Sequence, residues 1–177
     1  GEDESYFCAV NPLMTPGCAV MVFSSVQNSS MGSRLAAKLS AEKFINAVCL
    51  NESEFKEKAS AKKLLEIGFK AANDYVYQFS HQFSAAGRVT SCLAAFAYYK
   101  GEFIFGRVGN WNCFLLRQNK IIPFFENEYS AESDFDIRTI KDKAIGARSM
   151  VEVEIASLEL EGGDSVHGFS GLLSEDD

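Results

Sequence analysis

The last sixteen residues, "GGDSVHGFSGLLSEDD" (Gly162 to Asp177), make a turn, an apolar run and a small-residue corner at Ser170-Gly171. Such corners often present a catalytic group at the tip of a strand. Here the tip carries no acid, base or strong nucleophile. The two histidines, His81 and His167, offer little more. His167 lies in the apolar run beside Gly168, where a satisfied core or sheet-face imidazole is the simpler reading than a general base. The five cysteines (Cys8, Cys18, Cys49, Cys92 and Cys113) form no CxxC pair and sit mostly in apolar runs. That predicts reduced core thiols rather than disulfides or a metal site. No GxSxG, HExxH or P-loop string is present, and no spacing supports a Cys/His couple. The two glycines of "GRVGNW" suit a turn between strands better than a phosphate loop, and Trp111 within it is either a partner contact or a core plug.

The elements that would position these residues follow from periodicity. "SYFCAV" and "GCAVMVFSS" are apolar, β-prone and separated by "NPLMTPG", which predicts a hairpin. A polar loop follows, in which Ser29 or Ser30 can cap the next helix. Leu35, Leu39, Phe44 and Val48 recur near helical spacing and mark an amphipathic helix. A second helix runs from about Glu52 to about Phe79, its apolar face supplied by Leu64, Leu65, Ile67, Phe69, Ala72, Val76 and Phe79. After "SAAGR" the period changes. "VTSCLAAFAYY", "EFIFGRVG", "NCFLLRQ" and "KIIPFF" are short β-like runs split by turn residues, an antiparallel meander. The polar stretch up to Met150 reads as loop-rich. "VEVEIASLEL" alternates strictly, so one of its faces should be wet, and "SVHGFS" is the last strand. Helices segregated from an apolar meander argue for an α+β sandwich of two mainly antiparallel sheets with helices outside.

Composition narrows the function classes. The chain has 177 residues, 47% of them hydrophobic, with 15 Phe, enough for one domain with a sizeable core. A formal net charge of -7 and the lack of any basic patch argue against nucleic acid. "KEKASAKK" (Lys56 to Lys63) spaces its charges as a solvated helix face. No apolar run approaches the length of a membrane span. The expectation is a cytoplasmic chain with no membrane partner.

The element order and four local strings resemble the metal-dependent protein phosphatase family with the PP2C-like (PPM) fold. In "VFSSVQNSSMGSRLAAKLS", Gly32, Ala36 and Ala37 match the family's helix opening. Ser24 falls where the metal-bridging Asp would be, and Ser25 where its Gly would be. Thr90 and Ser91 match a hydroxyl pair opening a strand. Val108 and Gly109 match a Val-Gly-Asp string, but Asn110 replaces the acid. "CFLLRQNK" resembles the family's aromatic-Leu-Leu-Arg strand. Gly163, Asp164, Ser170 and Leu173 match the Gly-Asp, strand, Ser-Asp-Gly-Leu pattern, with Gly171 in place of a metal-binding Asp and Leu172 in place of the Gly. "GEDESYF" resembles the end of an Asn-x-Asp-Ser string, with Asp3 or Glu4 at the carboxylate position. The resemblance implies a four-layer αββα sandwich. It makes residues 1–177 a single PP2C-like domain, lacking the family's extreme N- and C-terminal elements.

In that family two Mg²⁺ or Mn²⁺ ions activate a bridging water and hold phosphate for in-line attack. Such hard cations need carboxylates. With Ser24, Ser25, Asn28, Asn110, Ser170 and Gly171 lining the former cleft, neutral and polar, the expectation is no catalytic residue and no cofactor. Asp3 and Glu4 are weak metal candidates. The implied role is a pseudophosphatase: a scaffold or regulator in phospho-signalling whose partner is a protein, such as a phosphoprotein or a kinase. The alternative is an active Ser/Thr phosphatase with displaced ligands at Asp3, Glu4, Asp164 and Asp134 or Asp136, using Mg or Mn. Asp164 is more simply a turn residue.

Overall fold

A computed structural model describes residues 5–10, 17–26, 30–54, 58–82, 89–125 and 143–170. Strands β1 (Ser5–Val10) and β2 (Cys18–Val26) pair antiparallel, as the hairpin pattern predicts. Helix α1 (Met31–Leu50) follows. Ser30 is its N-cap, in extended backbone, with its Oγ accepting from the Ser33 N–H at 3.2 Å. A short 3-10 turn, Glu52–Glu54, separates it from α2 (Lys58–Gln82), so the second helix begins later than its sequence pattern suggests. Then come β3 (Ser91–Tyr99), β4 (Glu102–Val108), β5 (Trp111–Arg117), β6 (Lys120–Pro123), β7 (Glu154–Glu159) and β8 (Ser165–Ser170).

The strands form two sheets. One has the order β1-β2-β3-β4-β7, the other β6-β5-β8, and every pairing is antiparallel. The predicted meander is therefore divided: the chain leaves the first sheet after β4 and enters the second at β5, turning at Gly109-Asn110.

Alternation along β3 shows why the meander is so apolar. Leu93, Ala95, Ala97 and Tyr99 pack with the helices, whereas Cys92, Ala94 and Phe96 pack toward the second sheet. Both faces are buried from Ser91 to Ala97, and Tyr98 is exposed near the strand's end. The inter-sheet layer is aromatic, with Phe96, Phe103, Phe105, Trp111 and Phe124 at its centre. The Phe96 and Phe105 rings stack at 5.0 Å.

Both helices lie against the five-stranded sheet, joined by an edge contact between Phe44 and Phe69 at 5.2 Å. The stripe read from α1 holds for Phe44 and Val48. Leu35, however, is exposed, and Ala36, Ala37, Ser40 and Ala41 take the buried face. Small residues are needed there because α1 sits close on the sheet. A Cβ on Gly32 would lie 2.4 Å from Val89 Cγ1.

The expectation of a wet face on β7 does not hold. Val151, Val153 and Ile155 pack on the helix side, and Ala156, Leu158 and Leu160 pack on the inter-sheet side. Its partial exposure comes from its place at the edge of the sheet. Among the described residues no helix packs on the outer face of the three-stranded sheet and none is long and apolar enough to cross a membrane. The stretch 126–142 lies outside the described residues.

Candidate functional site

One end of the sandwich gathers the residues that the sequence singles out. There β2 ends, β3 begins, β4 turns into β5, and β8 ends. Ser25 stands opposite Cys92 across the β2–β3 ladder. Gly109 sits over Cys92 at φ +92, and a Cβ there would lie 2.4 Å from the Cys92 sulfur. Only glycine combines that left-handed backbone with so close an approach. Asn110 follows in the same turn, and Trp111 pairs with Ser170 across the β5–β8 ladder. Ser25, Asn110 and Ser170 therefore share one end of the fold. Asn28, Gly171, Asp3, Glu4, Asp134 and Asp136 lie outside the described residues.

Ser24 is placed differently from its neighbour. It stands opposite Leu93, on the helix side of the sheet, fully buried. Its Oγ donates to the Ala37 carbonyl at 2.8 Å. The strand's two-residue period then turns Ser25 toward the second sheet, on the face of Cys92. Counting along the sequence puts Ser24 at the acid position, but the side chain that faces the cleft is that of Ser25. The hydroxyl at the start of β3 also serves the helix: Ser91 Oγ and Ser40 Oγ lie 2.6 Å apart.

Sequence reasoning passed over Arg107. It follows Phe103 and Phe105 on the inter-sheet face of β4 and is 1% exposed. Its Nε donates to Glu154 Oε2 at 3.2 Å, and its Nη1 donates to the Trp111 carbonyl at 2.8 Å and to Asn112 Oδ1 at 3.0 Å. The guanidinium also lies over the Phe125 ring at 4.2 Å. A charge buried this deeply needs such partners. The available signal was an arginine at an inward position of an apolar strand. Glu154, the carboxylate this network brings to the β4–β5 turn, is committed to that cation.

Asp164 belongs to the opposite end. It precedes β8, whereas Ser170 ends it, a separation of about 20 Å at strand rise. Arg117 Nε donates to its Oδ1 at 3.0 Å and Nη2 to its Oδ2 at 2.6 Å. The Glu161 N–H donates to Oδ2 at 2.8 Å. The hydrogen bonds from Arg117, then that from Glu161, hold its carboxyl below the usual range. Asp164 is a turn residue locked to β5, and the displaced-ligand role weighed for it does not fit.

His167 faces outward, stacked on Phe114 at 5.2 Å, with its Nε2 3.0 Å from Ser165 Oγ. His81 lies at the end of α2, its Nδ1 2.8 Å from the Tyr77 carbonyl oxygen. The hydroxyl that His167 meets lies on the exposed face of β8, away from the convergent end, and His81 meets a backbone carbonyl. Cys18, Cys92 and Cys113 are buried thiols, while Cys49 is exposed on α1.

Behind the convergent end, a pocket of about 470 Å³ opens between the sheets. Met21, Phe23, Phe96, Phe103, Trp111 and Val166 line most of it, with Ser170 at its polar end. Ser170, one of the residues expected to line a neutral and polar cleft, stands at the edge of this mainly apolar pocket.

Neither a protein-family model nor a curated protein sequence matches this chain. Solved structures do. PppA, described as a key regulatory component of T6SS in Pseudomonas aeruginosa, superposes with a TM-score of 0.66 at 14% identity, over 93% of this chain and 74% of PppA. The S. agalactiae serine/threonine phosphatase gives 0.66 at 16% identity, over 92% and 70%. The catalytic domain of the serine/threonine protein phosphatase PstP, in complex with two manganese ions, gives 0.58 at 13% identity, over 93% and 75%. The fold is PP2C-like. At these identities the likeness shows the fold alone.

Among the described residues the donors do not fit a PP2C-like dinuclear centre. Two dications about 4 Å apart repel by roughly 4 kcal/mol even in bulk water, and by several times more at a protein surface. Carboxylates must offset this. The described residues at the convergent end offer the neutral side chains of Ser25, Asn110 and Ser170, and a buried arginine that already engages the Glu154 carboxylate. Among the described residues no group of three His, Cys, Asp or Glu could hold a metal ion.

Proposed function

We propose that this chain is a catalytically degenerate PP2C-like domain, a pseudophosphatase that acts by binding in phospho-signalling. One observation carries the reading: the sequence has Ser24, Asn110 and Gly171 where the resemblance places acids, and the described side chains at the convergent strand ends, those of Ser25, Asn110 and Ser170, are neutral. A hydroxyl or amide oxygen is a poor ligand for a hard dication and cannot lower the pKa of a bound water without it. What remains is a rigid sandwich with an accessible end, suited to contact with a protein such as a phosphoprotein or a kinase. The description of PppA as a regulatory component supports a regulatory role for the scaffold. The setting proposed for it is the cytoplasm.

The test compares binding with turnover. Metal-stripped protein is titrated with phosphopeptides and their unphosphorylated forms, followed by anisotropy. The same peptides and an aryl phosphate are then assayed for phosphate release with Mn²⁺. Saturable binding that needs no metal, without release, supports the proposal. Mn²⁺-dependent release abolished by chelator overturns it and returns the chain to the active phosphatases.

A further inference from the structure

The five-stranded sheet ends at β7, which pairs with β4 and has no strand on its other side among the described residues. Every second residue of β7 therefore points its N–H and C=O away from the sheet. Such an edge is a template for another extended chain unless charges, a proline or a covering element blunt it. Residues 150–161 contain no proline, four glutamates, and no lysine or arginine. The edge is thus guarded by one sign of charge only. Beside it, a groove of about 540 Å³ runs between α2 and the segment that leads into β7. Met150, Val151 and Val153 give it an apolar floor, and Met150 is 85% exposed. Asn73 holds this segment to α2 through the Arg148 carbonyl and the Gly146 N–H, so the groove is fixed in place.

Charge selects the occupant. Glu66, Lys70 and Asp74 form the α2 wall of the groove, one helical face at i, i+4 and i+8. Lys70 is already paired with Asp74 at 2.7 Å. Glu66 makes no ion pair among the described residues, and neither do Glu152 and Glu159 along the edge. No group of three such acids could hold a metal ion. Carboxylates dispersed along an edge suit cations dispersed along a chain. A second copy of this protein, of net charge -7, would set acid against acid across the new pair of strands. We propose that β7 and the groove beside α2 dock an extended, basic segment of a partner protein, which adds a sixth strand to the sheet by main-chain hydrogen bonds. An apolar side chain of that segment fills the groove over Val151 and Val153. Its Lys or Arg residues meet Glu66, Glu152 and Glu159. The site lies on the helix side of the first sheet, not between the sheets, and does not depend on whether the chain hydrolyses phosphate.

The probe is a fluorescein-labelled peptide that alternates Lys or Arg with Val, followed by anisotropy and by the backbone resonances of the ¹⁵N-labelled chain. The expected result is saturable binding that weakens with added salt, with shifts in β7 and in α2 from Glu66 to Asp74. A peptide with Glu at the basic positions should bind at least about tenfold more weakly. A basic peptide with Pro at its central Val should also bind more weakly, because it cannot complete the ladder. The double variant Glu66→Gln, Glu152→Gln changes two exposed side chains and should keep its fold. It should bind the basic peptide about fivefold more weakly, the effect of two exposed ion pairs. Four results would each overturn the proposal: no saturable binding, equal affinity for the acidic or the proline peptide, undiminished binding by the double variant, or shifts confined to residues outside β7 and α2. Self-association of the chain that perturbs the same β7 resonances would assign the edge to a second copy and overturn it too.

Discussion

Ser24 and Ala37 are both completely buried, and the serine hydroxyl donates to the alanine carbonyl at 2.8 Å. This bond ties the end of β2 to the first turns of α1. It fixes the register that sends Ser24 to the helices and Ser25 to the second sheet. Exchanging Ser24 for Asp would bury a carboxylate beside a carbonyl oxygen. We predict that S24D, fully buried against the Ala37 carbonyl, loses at least about 3 kcal/mol in urea unfolding, and that S25D, buried too but at the accessible end of the sandwich, loses less. Equal losses would show that the two side chains do not lie on opposite faces.

Arg107 links β4, β5 and β7 through Glu154, Asn112 and the Trp111 carbonyl. Removing it by Arg107→Ala leaves Asn112 and that carbonyl buried without this donor. It also opens a hole against Phe125. The expected cost is about 3–5 kcal/mol by urea or thermal unfolding. A loss under about 1 kcal/mol would mean that the network is ornamental.

These two positions show how far the sequence could be read. The hairpin, both helices, the strand runs and the PP2C-like order were legible, because periods of 2 and 3.6 and the turn glycines are local signals. The register was not. Whether Ser24 or Ser25 faces the cleft depends on which side of β2 the helices pack, and no nearby residue encodes that. Arg107 escaped notice for a similar reason: its partners Glu154 and Asn112 lie on other strands, and only folding brings them together. The same holds for the division of the meander at Gly109-Asn110.

Asn73 provides a further case. It is buried on α2, its Nδ2 donates to the Arg148 carbonyl at 3.1 Å, and its Oδ1 accepts from the Gly146 N–H at 2.9 Å. It pins the segment before β7 to the helix. Asn73→Ala would leave that N–H unmet, and we expect a loss of about 2–3 kcal/mol. Hydrogen exchange of the Gly146 amide should quicken in the variant by more than global destabilisation explains. Unchanged stability would remove Asn73 from its anchoring role.

The Arg117–Asp164 fork predicts a pH dependence. Asp164 titrates below the ordinary carboxyl value of about 3.9, because Arg117 and the Glu161 N–H stabilise its ionised form. A depressed carboxyl contributes stability above its unfolded value and loses it as the pH falls through the folded one. Other acids titrate in the same window, so the useful quantity is a difference. Asp164→Asn should unfold at lower temperature than the unaltered chain at pH 7, and the gap should shrink steadily below about pH 4. A gap independent of pH would show that the charge of Asp164 plays no part.

The pseudophosphatase proposal requires that the convergent end of this PP2C-like fold bind no pair of divalent ions. Isothermal titration of the metal-stripped chain with Mn²⁺ tests it most directly. The account predicts no saturable heat for two ions per chain at concentrations up to millimolar. Two saturable Mn²⁺ sites per chain, weakened by mutation at Ser25, Asn110 or Ser170, would contradict it.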